Sequence, residues 1–425
     1  MTLPFLSRFA SWLPKFDRQV WILASGRFLS ELGTGFTLFY APIFFVNQLN
    51  LSTTAVGLAL GSASISGIFG RILGGYAVDS RFWGRRRTLL LSAAISAVGS
   101  FVLAASFDFV TLIIGNLIGG MGAGLYWPAT EAVVADITRP EHQREAFALN
   151  RLADNLGLGM GIVLGGILVV ATKSYRALFA IDAISFVLFF GVIFVAIQET
   201  YRPQKGAVEK TLPFSSWITA LGDRRLQVFI SINIILTTYI SQLQSTLPIY
   251  FKNYIPGQDG KFGFTEITIS GLFTWHLILA VISQLPVAKI LNRLSHARAL
   301  MVSSILWAVG FILIWGAGIS SSGNLYWAAM GLAAFALAIV SYTPSASALI
   351  SDIAPSSQRG VYFSLNSLCW AVGYFIGPPL GGWVLDKPRI FVDKFWLGLA
   401  LSTSITITIL RYLSKVMADV GRNRE

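Results

Sequence analysis

The chain has 425 residues, 54% of them hydrophobic and 12% charged, with a mean hydropathy of +0.66. A soluble domain carries about 25% charged residues, so this composition excludes a large soluble helical enzyme. Lys and Arg exceed Asp and Glu by 12, but they stand in short clusters between apolar runs, without a basic arm or patch; this excludes nucleic acid and points to anionic lipid headgroups as partners.

In chain order, residues 1–19 are interrupted by Pro4 and Pro14 and lack a small-residue cleavage site. They read as a cytoplasmic amphipathic lead-in, not a removable signal. Apolar runs long enough to cross a bilayer as helices then follow at 20–46, 54–78, 88–107, 109–135, 147–171 and 177–197. After a polar interruption come six more, at 228–251, 264–285, 299–319, 325–350, 361–385 and 395–413. The expected fold is an all-α polytopic membrane protein of twelve transmembrane helices, organised as a bundle over 1–197, a cytoplasmic linker over 198–226 and a second bundle over 227–425.

Charge supports the count. With the N-terminus inside, cytoplasmic segments and the cytoplasmic ends of helices hold twenty-three of the 32 Lys and Arg, external segments hold seven, and Arg27 and Arg71 lie deeper within helices. This is the bias of the positive-inside rule, and it predicts a multi-pass plasma (inner) membrane protein with both termini cytoplasmic.

Charges inside a bilayer are costly and face a cavity or one another. Arg27 and Glu31 are four apart on the first helix and share a face. Arg71 falls in the second helix, Glu131 in the fourth beside Trp127 and Pro128, and Asp182 in the outer part of the sixth. These five are the candidates for proton coupling or substrate binding. Glu31 leads as the protonatable carboxylate, since burial and a nearby arginine act on it in opposite directions; a static pair of Glu31 with Arg27 or Arg71 is the alternative. Asp154, close to Arg151, reads as part of a cytoplasmic charge network.

The second half offers mainly neutral groups. Gln242, His276, Asn366 and Tyr374 are candidate cavity-wall residues, together with Asn116 of the fourth helix. Gln242 and Gln244 cannot both point inward from one helix. The 31 phenylalanines, 13 tyrosines and 12 tryptophans suit a lipophilic or amphipathic substrate as well as interfacial belts. One cysteine, Cys369, and three scattered histidines speak against a disulfide framework, a metal centre or any cofactor. No phosphate-binding loop or hydrolase motif is present, so no enzymatic activity is expected.

An internal repeat appears at an offset of 216 residues. Tyr126, Pro128, Asp136, Asn150, Gly157, Gly161 and Gly165 recur as Tyr342, Pro344, Asp352, Asn366, Gly373, Gly377 and Gly381. An even number of spans separates the copies, so the halves share one orientation.

With these residues the chain resembles the major facilitator superfamily, and within it the twelve-helix drug:proton antiporter-like exporters of bacteria. The family's loop signature after the second helix is matched by Gly75, Asp79, Gly84, Arg85 and Arg86, with Ser80, Arg81, Phe82 and Trp83 lengthening the usual spacing. The resemblance implies a conformational latch on the cytoplasmic side, with Asp136 as the partner of Arg85. Arg81 and Arg87 are accounted for by topology alone. It also implies packing and gating roles for Gly157, Gly161 and Gly165 of the fifth helix and for Gly373, Gly377 and Pro378 of the eleventh. Two positions depart from the exporter pattern: Asn116 stands where an arginine is usual, and Ile162 where a proline is.

The expected function is secondary active export of small hydrophobic or amphipathic compounds by alternating access, coupled to protons, with one copy sufficient. A facilitator or importer of a sugar, organic acid or siderophore is the second reading. A non-transporting sensor or lipid-scrambling scaffold is the third.

Overall fold

The computed structural model describes residues 18–78, 80, 82–138, 143–200, 214–256, 262–291, 293–355 and 359–422. Asp79 and Arg81 lie outside the described residues, as does much of the linker. The described residues form fifteen helices. Those of the first half are α1 (Arg18–Leu38), α2 (Tyr40–Asn47), α3 (Thr53–Val78), α4 (Gly84–Ala105), α5 (Phe109–Ile137), α6 (Gln143–Thr172) and α7 (Arg176–Ala196). A short helix, α8 (Phe214–Leu221), precedes α9 (Arg224–Gln244), α10 (Thr246–Asn253), α11 (Glu266–Leu291), α12 (His296–Ile319), α13 (Asn324–Ile353), α14 (Arg359–Leu385) and α15 (Arg389–Arg422).

Among the described residues twelve stretches are long and apolar enough to cross a membrane, in agreement with the expected all-α fold. The first and seventh, Arg18–Asn47 and Arg224–Asn253, are each broken into two helices. A helical proline has no N–H for residue i−4 and crowds its carbonyl. Pro42 and Pro248 are the third residues of α2 and α10, and their i−4 positions, Leu38 and Gln244, are where α1 and α9 end. The corresponding breaks show that these two spans are related by an offset of 206, which pairs Arg27 with Asn233 and Asn47 with Asn253.

Polar caps begin several helices. Asp108 accepts from the Thr111 amide at 2.8 Å at the start of α5. Asp223 accepts from the Arg225 amide at 2.9 Å at the start of α9, and from the Tyr362 hydroxyl of α14, also at 2.9 Å. Burial pushes the Asp223 carboxyl up, but the bonds from Arg225 and Tyr362 prevail and hold it below its ordinary range.

Packing divides the chain into two compact units, Met1–Leu38 with Ile65–Lys205, and Phe39–Ser64 with Gly206–Glu425. Helix α3 therefore has its outer part in the second unit and its inner part in the first. Val20, Leu23, Leu89, Val133 and Phe189 belong to the core of the first unit. The second is centred on aromatic rings: Trp307 packs on Phe335 with centroids 4.9 Å apart, and Tyr239 meets Phe311 edge-on at 5.2 Å.

Candidate functional site

At the cytoplasmic side of the first unit, α4 starts at Gly84 with φ +67, and a Cβ built there would lie 2.6 Å from the Glu199 carboxylate. Glu199 accepts from the amides of Arg85 at 2.9 Å and Arg86 at 3.2 Å. An acid thus sits at the positive end of the helix, a role not read from the sequence because Glu199 follows the sixth span, far along the chain. The Arg85 guanidinium is 2.8 Å from Asp136 and donates to the Val78 carbonyl at 2.7 Å. Arg86 donates to the Phe194 carbonyl at 2.6 Å. Gly75 is exposed, and nothing among the described residues lies within 4 Å of its built Cβ. Gly84→Ala is expected to lower stability by about 1–2 kcal/mol from the left-handed backbone alone, read as a fall in the thermal midpoint of the purified protein.

Deeper in the same unit, Arg27 of α1 is 3% exposed and donates through Nε to Asp154 of α6 at 2.8 Å, and through Nη2 to its other oxygen. Its guanidinium also lies over the rings of Tyr126 at 5.3 Å and Trp127 at 5.9 Å. This corrects the reading of Asp154 as a member of a cytoplasmic network: Asp154 is 8% exposed and bonded to a membrane-span arginine. Arg151 and Asp154 are three apart on α6, and linear proximity to a basic residue does not show which neighbouring helix a carboxylate meets. Glu31 follows one turn after Arg27; its Cβ is 3.1 Å from a Cβ built on Gly157, itself one turn after Asp154. The Asp154 carboxylate thus binds the guanidinium directly, and the Glu31 charge also acts on it.

The remaining charged candidates do not join this group. Arg71 of α3 and Glu131 of α5 are both exposed, and the Glu131 charge acts on Arg71. Asp182 of α7 is 5% exposed; one oxygen accepts from Ser100 at 2.6 Å, and the other has no hydrogen-bond partner among the described residues. Asn116 donates to the Leu112 carbonyl of its own helix at 2.9 Å. A recess of about 590 Å³ lies between α1 and α7, with Arg18, Trp21, Ser25 and Val192 among its lining residues.

In the second unit, Asn233 donates to Asn366 at 2.8 Å and accepts from the Tyr342 hydroxyl. Asn233 corresponds to Arg27 and Tyr342 to Tyr126, so the equivalent position is charged in one half and neutral in the other. Gln242 is fully buried, donating to the Gly377 carbonyl at 2.9 Å and accepting from Thr246. His276 is 6% exposed, with Nδ1 2.9 Å from the Leu332 carbonyl. Tyr374 stacks with Trp370 at 6.2 Å.

Small residues set the seams. Built Cβ atoms on Gly157 and Gly161 would meet the carbonyls of Phe28 at 2.3 Å and Leu32 at 2.2 Å, while Gly165 is buried. Gly373 and Gly377 face Thr237 and Ser241 of α9, and the Pro378 carbonyl faces Gly57 of α3.

Twelve apolar spans among the described residues, with charged and amide groups inside the bundles, define a polytopic membrane protein. The chain belongs to the Major Facilitator Superfamily, whose family model matches residues 23–256 and 254–415. It is 24% identical over 396 residues to the quinolone resistance protein NorA of Staphylococcus aureus, covering 92% of this chain and 96% of that protein. It is 25% identical over 395 residues to a Na(+), Li(+), K(+)/H(+) antiporter of Planococcus maritimus, covering 86% and 90%. The crystal structure of the nucleoside transporter NupG matches the fold with a TM-score of 0.79 at 14% identity, covering 94% of this chain and all of that one. The protein is therefore a secondary active transporter of a small solute in the plasma (inner) membrane, with Arg18 and Arg422 toward the cytoplasm.

Proposed function

We propose that this transporter exports small hydrophobic or amphipathic compounds and is driven by proton entry. The observation that carries the reading is the buried Arg27, bonded to Asp154 and acted on by the charge of Glu31. A guanidinium with two carboxylates in reach can be neutralised by either, so a proton arriving on one acid leaves the other as its counter-ion. The similarity to a quinolone resistance protein and to a cation/proton antiporter supports the same reading.

The bundles over 1–197 and 227–425 are the proposed moving bodies, and Asp79, Arg85 and Asp136 the proposed cytoplasmic latch, which must loosen when the carrier opens inward. Membrane lipids surround a single working copy. In proteoliposomes with an imposed pH gradient, wild-type protein is expected to accumulate a lipophilic dye, and Glu31→Gln to lose at least about 90% of the gradient-driven rate, as removal of a general acid–base group does. Dye movement indifferent to the gradient, and unaltered in Glu31→Gln, would sink proton coupling through this residue.

A second reading, a facilitator or importer of a metabolite, is favoured by the neutral Asn116, which bonds within its own helix where the exporters it resembles carry an arginine. Gradient-free counterflow of one sugar or organic acid, without dye transport, would establish it.

A further inference from the structure

The external ends of α3 and α14 meet in an arrangement that the loop signature does not describe. Asp386 is the first residue past α14, and its carboxylate spans the first turn of α3. One oxygen accepts from the Thr53 amide at 2.9 Å and is 2.7 Å from the Thr53 hydroxyl; the other accepts from the Thr54 amide at 2.8 Å and its hydroxyl at 2.5 Å. The single Thr53 hydroxyl proton is shared with the Gly382 carbonyl, 2.6 Å away. This is a helix cap supplied by another span more than 300 residues along the chain, with an ionised acceptor on otherwise orphaned N–H groups.

The seam beneath the cap is closed backbone to backbone. A Cβ built on Gly57 would lie 2.2 Å from the Pro378 carbonyl oxygen, and one on Gly382 would lie 2.1 Å from that of Thr53. Beside it, Asn47 at the end of α2 and Asn253 at the end of α10 exchange amide hydrogen bonds of 2.9 and 2.8 Å. These contacts hold the outer half of α3, and α2 with it, in the second unit while the rest of α3 belongs to the first.

We infer that Asp386, with Thr53 and Thr54, is an external clasp that holds this end of the transporter closed and must release α3 for the carrier to open outward. The inference rests on the alternating-access reading above. Its bonds are polar and close to solvent, so water can replace them when the helices part. Burial pushes the Asp386 carboxyl up, but the bonds from Thr54 and Thr53 prevail and hold it below its ordinary range. Because the closed-state value is depressed, the clasp stays charged through the ordinary carboxylate range and is lost only as the pH falls below it. Tyr254, whose hydroxyl bonds to the Leu385 carbonyl, and Arg389, which lies over the Tyr254 ring, are its titratable neighbours on the adjoining elements, with Lys387 turned onto Trp383. A mildly acidic exterior therefore leaves the clasp shut, and release falls to the transport cycle.

The test uses full-length protein carrying Cys369→Ser, so that the native thiol is absent, and Val56→Cys as a reporter; Val56 is 0% exposed and stands on α3 between Thr53 and Gly57, the two positions that meet Gly382 and Pro378 of α14. Labelling by a membrane-impermeant maleimide applied from outside is expected to rise on the order of tenfold in Asp386→Ala, the scale of losing charge-assisted hydrogen bonds. Asp386→Asn and Thr53→Val/Thr54→Val, which keep part of the set, should fall between that variant and the parent. Ala183→Cys, also 0% exposed but in the core of the first unit, should stay unreactive throughout; a parallel rise there would mark general loosening and overturn the clasp. If Val56→Cys responds to an imposed proton gradient yet is unchanged by Asp386→Ala, the clasp is wrong and alternating access stands. If it is unreactive in every variant and under every gradient, both readings fail.

Discussion

Asp154→Ala is expected to destabilise the protein by about 3–5 kcal/mol, the scale of removing one partner of a buried ion pair. Arg27 is 3% exposed and both oxygens of Asp154 accept from its guanidinium. Without them the cation keeps Glu31 as its one acidic counter-charge among the described residues but loses both of its direct bonds, inside a bundle where neither lipid nor bulk water stabilises it. A lower thermal midpoint and lower yield of monodisperse protein are the measurements. The double variant Arg27→Met/Asp154→Leu separates stability from function: apolar side chains of similar volume are expected to restore most of the midpoint, while pH-driven transport stays lost. A double variant that transports normally would remove the pair from the coupling scheme. Asn233, at the corresponding position of the second unit, is neutral, and its replacement is expected to leave the response to a pH gradient in place.

The second large effect is expected at the α1–α6 crossing. A Cβ on Gly161 would lie 2.2 Å from the Leu32 carbonyl oxygen and 2.8 Å from the Gly35 Cα. Both obstacles are main-chain atoms and cannot rotate away, so Gly161→Val must drive the helices apart. Overpacking of this kind costs about 1–3 kcal/mol. Asp154 lies two turns earlier on α6 and Arg27 two turns before Gly35 on α1, so the separation also shifts the ion pair, and transport should fall by more than the loss of folded protein explains. Gly75→Ala provides the contrast in packing: its Cβ meets nothing within 4 Å among the described residues, and expression and midpoint should be unchanged. A silent Gly161→Val would show that the crossing relaxes without cost.

Much of the architecture was legible because hydropathy and charge are properties of consecutive residues. A run of about 20 apolar residues must span as a helix, whose backbone polar groups are satisfied within the segment, and lysine and arginine then orient it. The repeat was legible for the same reason, since Tyr126 and Tyr342 with their following glycines stand at one offset. The break at Pro42 and its counterpart at Pro248 were not anticipated, although the signal was present: a proline three residues into the continuing helix, with the earlier helix stopping four residues before it.

Side-chain partnership was the part least accessible. Arg27 and Glu31 stood out as charges in an apolar run, yet the acid that binds Arg27 came from α6, 127 residues away. Glu199 at the start of α4 and Asp386 at the start of α3 are likewise caps supplied from distant segments. Capping signals are read from the residues next to a helix, and here Thr53 supplies a hydroxyl while the charge arrives from another span.

By itself the sequence determined that this chain crosses the membrane twelve times, with its basic loops inside and its halves repeated in parallel, because the bilayer imposes length and charge rules on every segment separately. Only the tertiary structure decided which carboxylate neutralises Arg27, which one caps each helix and where the helices touch, because those choices depend on the rotation and crossing of helices whose small residues allow their backbones to approach.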